Sequence, residues 1–359
     1  MEMTRHNEKS IENPIGLDGL EFIEYSAPDS GEQLEKLFRR WGFQKIGDHK
    51  TKKVSLYVQG LIRFIVNRED DSFAREFSQD HGPSICATGF RVKDAQKAMG
   101  EAVKRGAKPV PPSRDHSFPA VYGIGNSVIY FVDQYAKAGV AVNSKPYFVY
   151  ENDFNLSTHN KVPGYGLLTI DHLTNNVPKG AMQEWCDFYR RIFNFREVRY
   201  FDIKGKQTGL YSKVMRSPCD KIIIPINEPV GEKSQIQEYL EEYRGPGIQH
   251  VALLTSDIIT SLRGLKQADI EFLDTIETYY DLLPKRLPNV TEDIDQLKAF
   301  KILADGDEEG YLLQIFSKNL IGPIFYEVIQ RKNHMGFGEG NFQALFDSIE
   351  EDQRRRGYL

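Results

Sequence analysis

The chain has 359 residues, 40% of them hydrophobic and 27% charged, with a formal net charge of −5. That length can bury a stable core in one large domain or two, and the mildly acidic balance argues against a nucleic-acid partner, which favours a basic surface. Three cysteines without CxxC spacing exclude a disulfide framework or a cysteine zinc site and point to a reducing cytoplasm, while the lack of a long apolar run excludes a membrane-spanning helix.

Residues 1–15 read as a loose polar tail. GLEFIEY is a strand pattern, and SGEQLEKLFRRWGF carries Leu34, Leu37, Phe38 and Trp41 at helical spacing. VSLYVQ and IRFIVN are strands around a turn at Gly60. GPSICATGFRV is a further strand, DAQKAMGEAVKRGA a helix and NSVIYFVDQY a strand. The second half repeats this order. LLTIDHL is a strand, AMQEWCDFYRRIF a helix, and GLYSKVM and KIIIPIN are strands. GPGIQHVALLTSD then answers GPSICATGFRV, DIITSLRGL is helical, and GYLLQIF and PIFYEVIQR close the set as strands. The expected fold is therefore α+β: two halves, each of two βαβββ modules forming a curved mixed sheet around a cavity. The expected boundaries are a structural, metal-free half over 16–150, a linker over 151–163, and a catalytic half over 164–359 closed by an amphipathic terminal helix.

The repeat allows the halves to be compared with each other. FIEY laid on TIDH sets Tyr25 against His172, GPSICA on GPGIQH sets Ala87 against His250, and IYFVDQ on FYEVIQ sets Phe131 against Glu327. Two histidines and a glutamate thus stand in one half only, each on a strand face that is otherwise apolar. A carboxylate buried in such a row costs several kcal/mol unless it is paired or binds a metal. Singly, each residue has an ordinary explanation: a hydrogen-bonded core histidine, His172 bonded to Asp171, or Glu327 paired with Arg331 or a lysine. Together they favour a metal centre. Two imidazoles and a carboxylate without thiolate describe the facial triad of non-haem Fe(II) oxygenases, although zinc or manganese also accepts that donor set.

TIDHLTNNV, IIPINEP, SQIQEYL, GPGIQHVAL, GYLLQIFSK, IFYEVIQR and the terminal GFGEGNFQALFDSIEEDQ resemble the 4-hydroxyphenylpyruvate dioxygenase family of the vicinal oxygen chelate (glyoxalase-like) superfamily. The resemblance covers nearly the whole chain. It implies that His172, His250 and Glu327 hold Fe(II). It also implies a substrate pocket with Phe316 and Phe342 as an aromatic clamp, Phe337 nearby, and Leu345 on the closing helix. Polar pocket positions fall on Ser212, Asn227, Gln235, Gln249 and Gln314, with Asn227, Gln249 and Gln314 serving the chemistry, and Pro225 completes the wall. The implied reaction takes 4-hydroxyphenylpyruvate and O2 to homogentisate and CO2, a step of tyrosine and phenylalanine catabolism. A homo-oligomer, dimer or tetramer, is expected, with the first half as scaffold.

Other signals are weaker. GFGEGNF lacks the strand before it and the last glycine of a dinucleotide loop, and His334 sits in a polar RKNHMG turn outside the site. Two alternatives share the superfamily: 4-hydroxymandelate synthase, with the same ligands, and a metal-free small-molecule-binding module. Pro225 and Phe316 match the ring-hydroxylating branch, and the intact triad argues against the binding module. A catechol cleaver would add a second His and Tyr, for which there is no clear candidate.

Overall fold

A computed structural model describes residues 11–359 apart from 28, 30, 113–114, 136–147, 158–163, 205–207, 232, 276, 342–349, 351–352, 355–356 and 358–359. Most of the expected tail, the end of the expected linker, and Phe342 and Leu345 lie outside the described residues. Eight strands form the first sheet: β1 (Leu17–Ser26), β2 (Gln44–His49), β3 (Val54–Gln59), β4 (Ile62–Asn67), β5 (Ser84–Val92), β6 (Ala120–Tyr122), β7 (Val128–Val132) and β8 (Phe154–Leu156). Eight more form the second: β9 (Leu167–Asn176), β10 (Arg196–Lys204), β11 (Gly209–Arg216), β12 (Ile223–Val230), β13 (Gly247–Thr255), β14 (Leu303–Gly306), β15 (Tyr311–Phe316) and β16 (Phe325–Lys332). The orders are β6-β7-β5-β1-β4-β3-β2-β8 and β10-β11-β12-β9-β13-β16-β15-β14. Each sheet is thus built from two modules joined along a central antiparallel pair, β1–β5 and β9–β13, which is the expected two-domain repeat.

Helices α1 (Gly31–Arg40), α2 (Phe73–His81) and α3 (Ala95–Lys104) belong to the first half. The second half contributes α4 (Met182–Phe193), α5 (Gln235–Tyr243), α6 (Ile258–Gln267), α7 (Thr278–Arg286) and α8 (Ile294–Phe300). The repeat reaches the helix caps: Asp94 and Asp257, each two residues beyond the end of β5 or β13, accept the amide three residues on and start α3 and α6. Strands β2, β6, β10 and β14 and helices α2, α5, α7 and α8 go beyond the elements read from the sequence, and two further details differ from its expectation. In the second module of the first half, where one more strand is expected, Pro109 makes only an isolated bridge to Val121. The prolines of KPVPPS cannot donate to a ladder, so the strand does not develop. Phe154–Leu156, inside the stretch read as linker, pairs with β2 as an edge strand of the first sheet.

Two hydrophobic clusters each draw residues from both halves. Trp41 packs edge-on against Tyr326 with ring centres 4.9 Å apart, and the hydroxyls of Tyr25 and Tyr326 hydrogen-bond at 2.7 Å. No helix among the described residues is long and apolar enough to cross a membrane.

Strand register corrects the overlay of the two halves. β1–β5 and β9–β13 share the same three register shifts, so that Phe22, not Tyr25, stands where His172 does. The β5–β7 and β13–β16 ladders likewise put Tyr130, not Phe131, opposite Glu327, while Ala87 keeps its match to His250. Both errors were odd in number, and an odd slip turns a strand residue to the other face. Tyr25 accordingly packs on Phe38 of α1, and Phe131 on Phe193.

In the first half the space equivalent to the triad is filled. The His116 ring lies 5.4 Å from Phe22 and 4.8 Å from Tyr130, and its Nε2 meets Glu24 Oε2 at 2.8 Å. Asn67 donates to the other oxygen of the buried Glu24 at 2.7 Å. Burial raises the Glu24 pKa, but His116 and Asn67 outweigh it and hold it below its ordinary value. Burial lowers that of His116, and Glu24 outweighs it upward. Burial and the charge of Glu24 push Asp115 up to about 6. The two raised groups stabilise the fold at low pH and lose that contribution as pH rises through their folded values; Glu24 loses its own only in acid. Asp115 gives up its share as pH climbs from the ordinary carboxylate range to about 6, and His116 gives up its share above 6.5, so thermal stability is expected to decline across that range. His116→Phe should flatten that decline and cost about 3 kcal/mol, the usual penalty for stripping the partner from a buried charge. Melting curves at several pH values check this, and an unchanged slope in the variant would remove His116 from the account.

Candidate metal centre

His172, His250 and Glu327 come from β9, β13 and β16, three strands side by side. His172 and Glu327 flank Ala252 in one cross-strand row, since Ala252 pairs with both. Side chains in such a row rise from the same face, and the alanine between them leaves space above its methyl group. His250 stands two residues away on the same strand. The histidine Nε2 atoms lie 3.1 Å (His172) and 3.5 Å (His250) from Glu327 Oε2, and the three groups can offer ligand atoms within 4.8 Å of one another.

The donors fit a divalent cation. Glu327 is 2% exposed and its Oε1 is buried without a hydrogen-bond partner among the described residues, a costly state for a carboxylate oxygen. Burial raises the Glu327 pKa, yet His172 and His250 outweigh it and bring it down to about 2. Burial lowers that of His172, and Glu327 and Asp171 outweigh it to about 9. Burial, helped by the charge of His172, keeps His250 below its ordinary value. Glu327 is thus anionic and His250 a neutral base, and the proton favoured on His172 Nε2 beside Glu327 is the kind that a metal displaces.

Two β-bulges aim the surrounding groups. One falls at Gln249, so Gln249 and His250, neighbours in sequence, both line the cavity, and Gln249 Oε1 lies 3.2 Å from His250 Nδ1. The other falls at Asp171, whose Oδ1 meets His172 Nδ1 at 2.8 Å. Strict alternation puts Gln249 and His250 on opposite faces; the bulge overrides it.

The triad opens into a cavity of about 640 Å³, counted with its mouth. Ser212, Pro225, Asn227, Gln235, Gln249, Phe316 and Phe337 all line it. Phe337 sits edge-on to His172 at 5.7 Å and Phe316 edge-on to His250 at 6.2 Å. Gln314 is buried and does not line the cavity; its amide fills the space that a Cβ on Gly338 would take. Sequence reasoning missed Thr174, Phe201, Ile203, Leu210, Val214 and Phe325 in the wall. Phe325, stacked on His250 at 4.8 Å and 22°, was detectable by its alternation with Glu327. His334 stays outside the triad, its ring towards Asp307.

A family model described as hydroxyphenylpyruvate dioxygenase, HPPD, N-terminal matches residues 11–155. One described as glyoxalase/bleomycin resistance protein/dioxygenase superfamily matches residues 169–283. The chain is 50% identical to protein MelA of Shewanella colwelliana, covering 98% of this chain and 99% of that one. It is 48% identical to 4-hydroxyphenylpyruvate dioxygenase of Legionella pneumophila (strain Corby), covering 97% and 98%. Among solved structures, a variant of 4-hydroxymandelate synthase from Streptomyces coelicolor superposes with a TM-score of 0.79 at 26% identity, covering 94% and 99%.

Proposed function

The chain belongs to the 4-hydroxyphenylpyruvate dioxygenase family, and from that membership we infer that it converts 4-hydroxyphenylpyruvate and O2 to homogentisate and CO2 by oxidative decarboxylation, ring hydroxylation and side-chain migration. The observation that carries this reading is the convergence of His172, His250 and Glu327, with its orphaned buried oxygen, at the end of a cavity walled by phenylalanines and amides. These three residues would hold Fe(II), which when bound supplies the activation of O2 that the reaction requires.

The remaining work belongs to the protein. Phe316 and Phe337 offer ring faces and edges to the substrate's aromatic ring. Asn227 donates to Asn176 at 3.2 Å, which leaves its own carbonyl oxygen as an acceptor for a hydroxyl. Gln235, Gln249 and Ser212 give further polar points for orienting a phenol and an oxo acid. Phe201, Ile203, Leu210 and Val214 make the rest of the wall apolar and keep water from a reactive centre. Pro225 and Phe316 both face the cavity, which favours attack on the ring over the side-chain attack of a hydroxymandelate synthase. A cytoplasmic homo-oligomer belongs to the same reading; three unpaired cysteines support the compartment.

The test is chromatographic identification of the product after Fe(II)-loaded protein meets 4-hydroxyphenylpyruvate in air. Homogentisate is expected. Hydroxymandelate would keep the centre and overturn the pocket assignment, and no product from an iron-loaded protein would overturn the substrate.

A further inference from the structure

Arg331 lies four residues beyond Glu327 on β16, where an ion pair between the two is the simple expectation. The structure sends it elsewhere. Its Nε and Nη2 donate to Asp171 Oδ2 and Oδ1 at 2.7 and 2.8 Å, a two-pronged pair. Its Nη1 donates to the backbone carbonyls of His334 (3.1 Å) and Gly336 (2.7 Å), and its guanidinium carbon lies 5.6 Å from the centre of the Phe337 ring. Asp171 in turn faces His172 Nδ1. One arginine, its side chain 10% exposed, therefore ties the outer nitrogen of His172 to the turn that carries a wall of the substrate cavity.

We propose that Asp171 and Arg331 are positioning residues. Asp171 holds His172 as the tautomer protonated at Nδ1, so that the Nε2 lone pair faces the metal. Arg331 couples that pose to the 334–337 turn, so Phe337 is set in the cavity wall by the same side chain that braces the ligand. Neither residue lines the cavity. The proposal rests on the reading of the triad as an iron centre.

Two comparisons within the molecule support it. His250 is braced differently, by the neutral Gln249 amide at 3.2 Å and by stacking on Phe325, so a charged brace is specific to His172. In the first half, Glu21 occupies the position of Asp171 at the equivalent bulge and pairs with Arg63 at 3.3 Å and Arg91 at 2.6 Å. There the next residue is Phe22. An acid–arginine pair at this bulge thus belongs to the scaffold of both halves, and only the second half aims it at an imidazole.

The experiment measures Fe(II) affinity by competition with a coloured chelator, independently of turnover, together with KM and kcat. Asp171→Asn keeps the shape of the side chain but loses the charge, and it should weaken iron binding about 10–100-fold. Asp171→Glu keeps the pair with Arg331, and hence the fold, but moves the carboxylate by one methylene; a loss of about tenfold is expected. Arg331→Lys keeps a cation beside Asp171 but cannot span both carbonyls. It should leave iron affinity within about threefold and raise KM about tenfold with little change in kcat, as expected when binding alone is lost. A folded Asp171 variant that binds iron as the parent does would overturn the brace, and an unchanged KM in Arg331→Lys would overturn the coupling. Failure of the parent protein itself to bind iron would instead overturn the iron reading, and this inference with it.

Discussion

Replacing His250 with alanine should abolish homogentisate formation and leave a folded protein. The ligands of a metal centre act as a unit, so removing one member costs most of what the unit supplies, here more than about a thousandfold in turnover. Folding is affected far less. His250 is a neutral base in the free protein, since burial keeps its pKa below the ordinary value, so its loss removes no charge from the interior. Glu327 keeps His172 at 3.1 Å as its partner. What disappears is the stack on Phe325, the edge contact with Phe316 and the hydrogen bond to Gln249, and truncation of one ring at the edge of an open cavity costs about 1–2 kcal/mol, within the usual range for single substitutions. Circular dichroism and melting curves close to the parent, with no detectable product, are the expected pair of results. Retained turnover would remove His250 from the ligand set.

The outline of the site was legible because the chain carries its own comparison. His, His and Glu in one half against apolar or aromatic residues in the other is a chemical asymmetry that survives small errors of alignment. Ala87 against His250 was right as read. Phe22 and Tyr130 were missed because short runs such as FIEY on TIDH and IYFVDQ on FYEVIQ do not fix the overlay to the residue; only the ladders do, and in them the bulges fall at equivalent places, Glu21 with Asp171 and Cys86 with Gln249. A bulge adds a residue without changing local hydrophobicity, so period-two reasoning cannot register it. That effect hid the use of Gln249 beside His250. β10, which brings Phe201 and Ile203 to the cavity, escaped notice for another reason: it is an edge strand with alternating exposed positions, and its charged residues mask the apolar pair. Arg331 shows a third limit. Its spacing from Glu327 was visible, but only the folded sheet reveals that Asp171 lies within its reach.

Ala252→Leu should eliminate iron binding while every ligand stays in place. Strands in a sheet lie about 4.8 Å apart, so His172 and Glu327, two strands apart, start from backbones roughly 10 Å from each other. They meet at 3.1 Å because both lean over the row's central residue, and that residue is an alanine. The first half shows what happens when the row closes. Its central residue is Gly89, and a Cβ built there would meet the Phe22 ring at 2.6 Å, because Phe22 has folded over the backbone. Occupancy above the central residue thus decides whether the flanking side chains can converge on an ion. A leucine adds three carbons to that space. Overpacking of this kind costs about 1–3 kcal/mol, less than the roughly 5–15 kcal/mol by which domains are stable, so the variant should fold. Its Fe(II) affinity should fall more than about a hundredfold, beyond the loss usual for an outer-shell change, with turnover falling alongside. Added imidazole distinguishes the two mechanisms: it should restore part of the iron binding of His250→Ala, where a ligand is missing, and none in Ala252→Leu, where the space is missing. Stoichiometric iron in the leucine variant would mean that the ligand atoms do not meet above Ala252, and the geometry assigned to the centre would have to be abandoned.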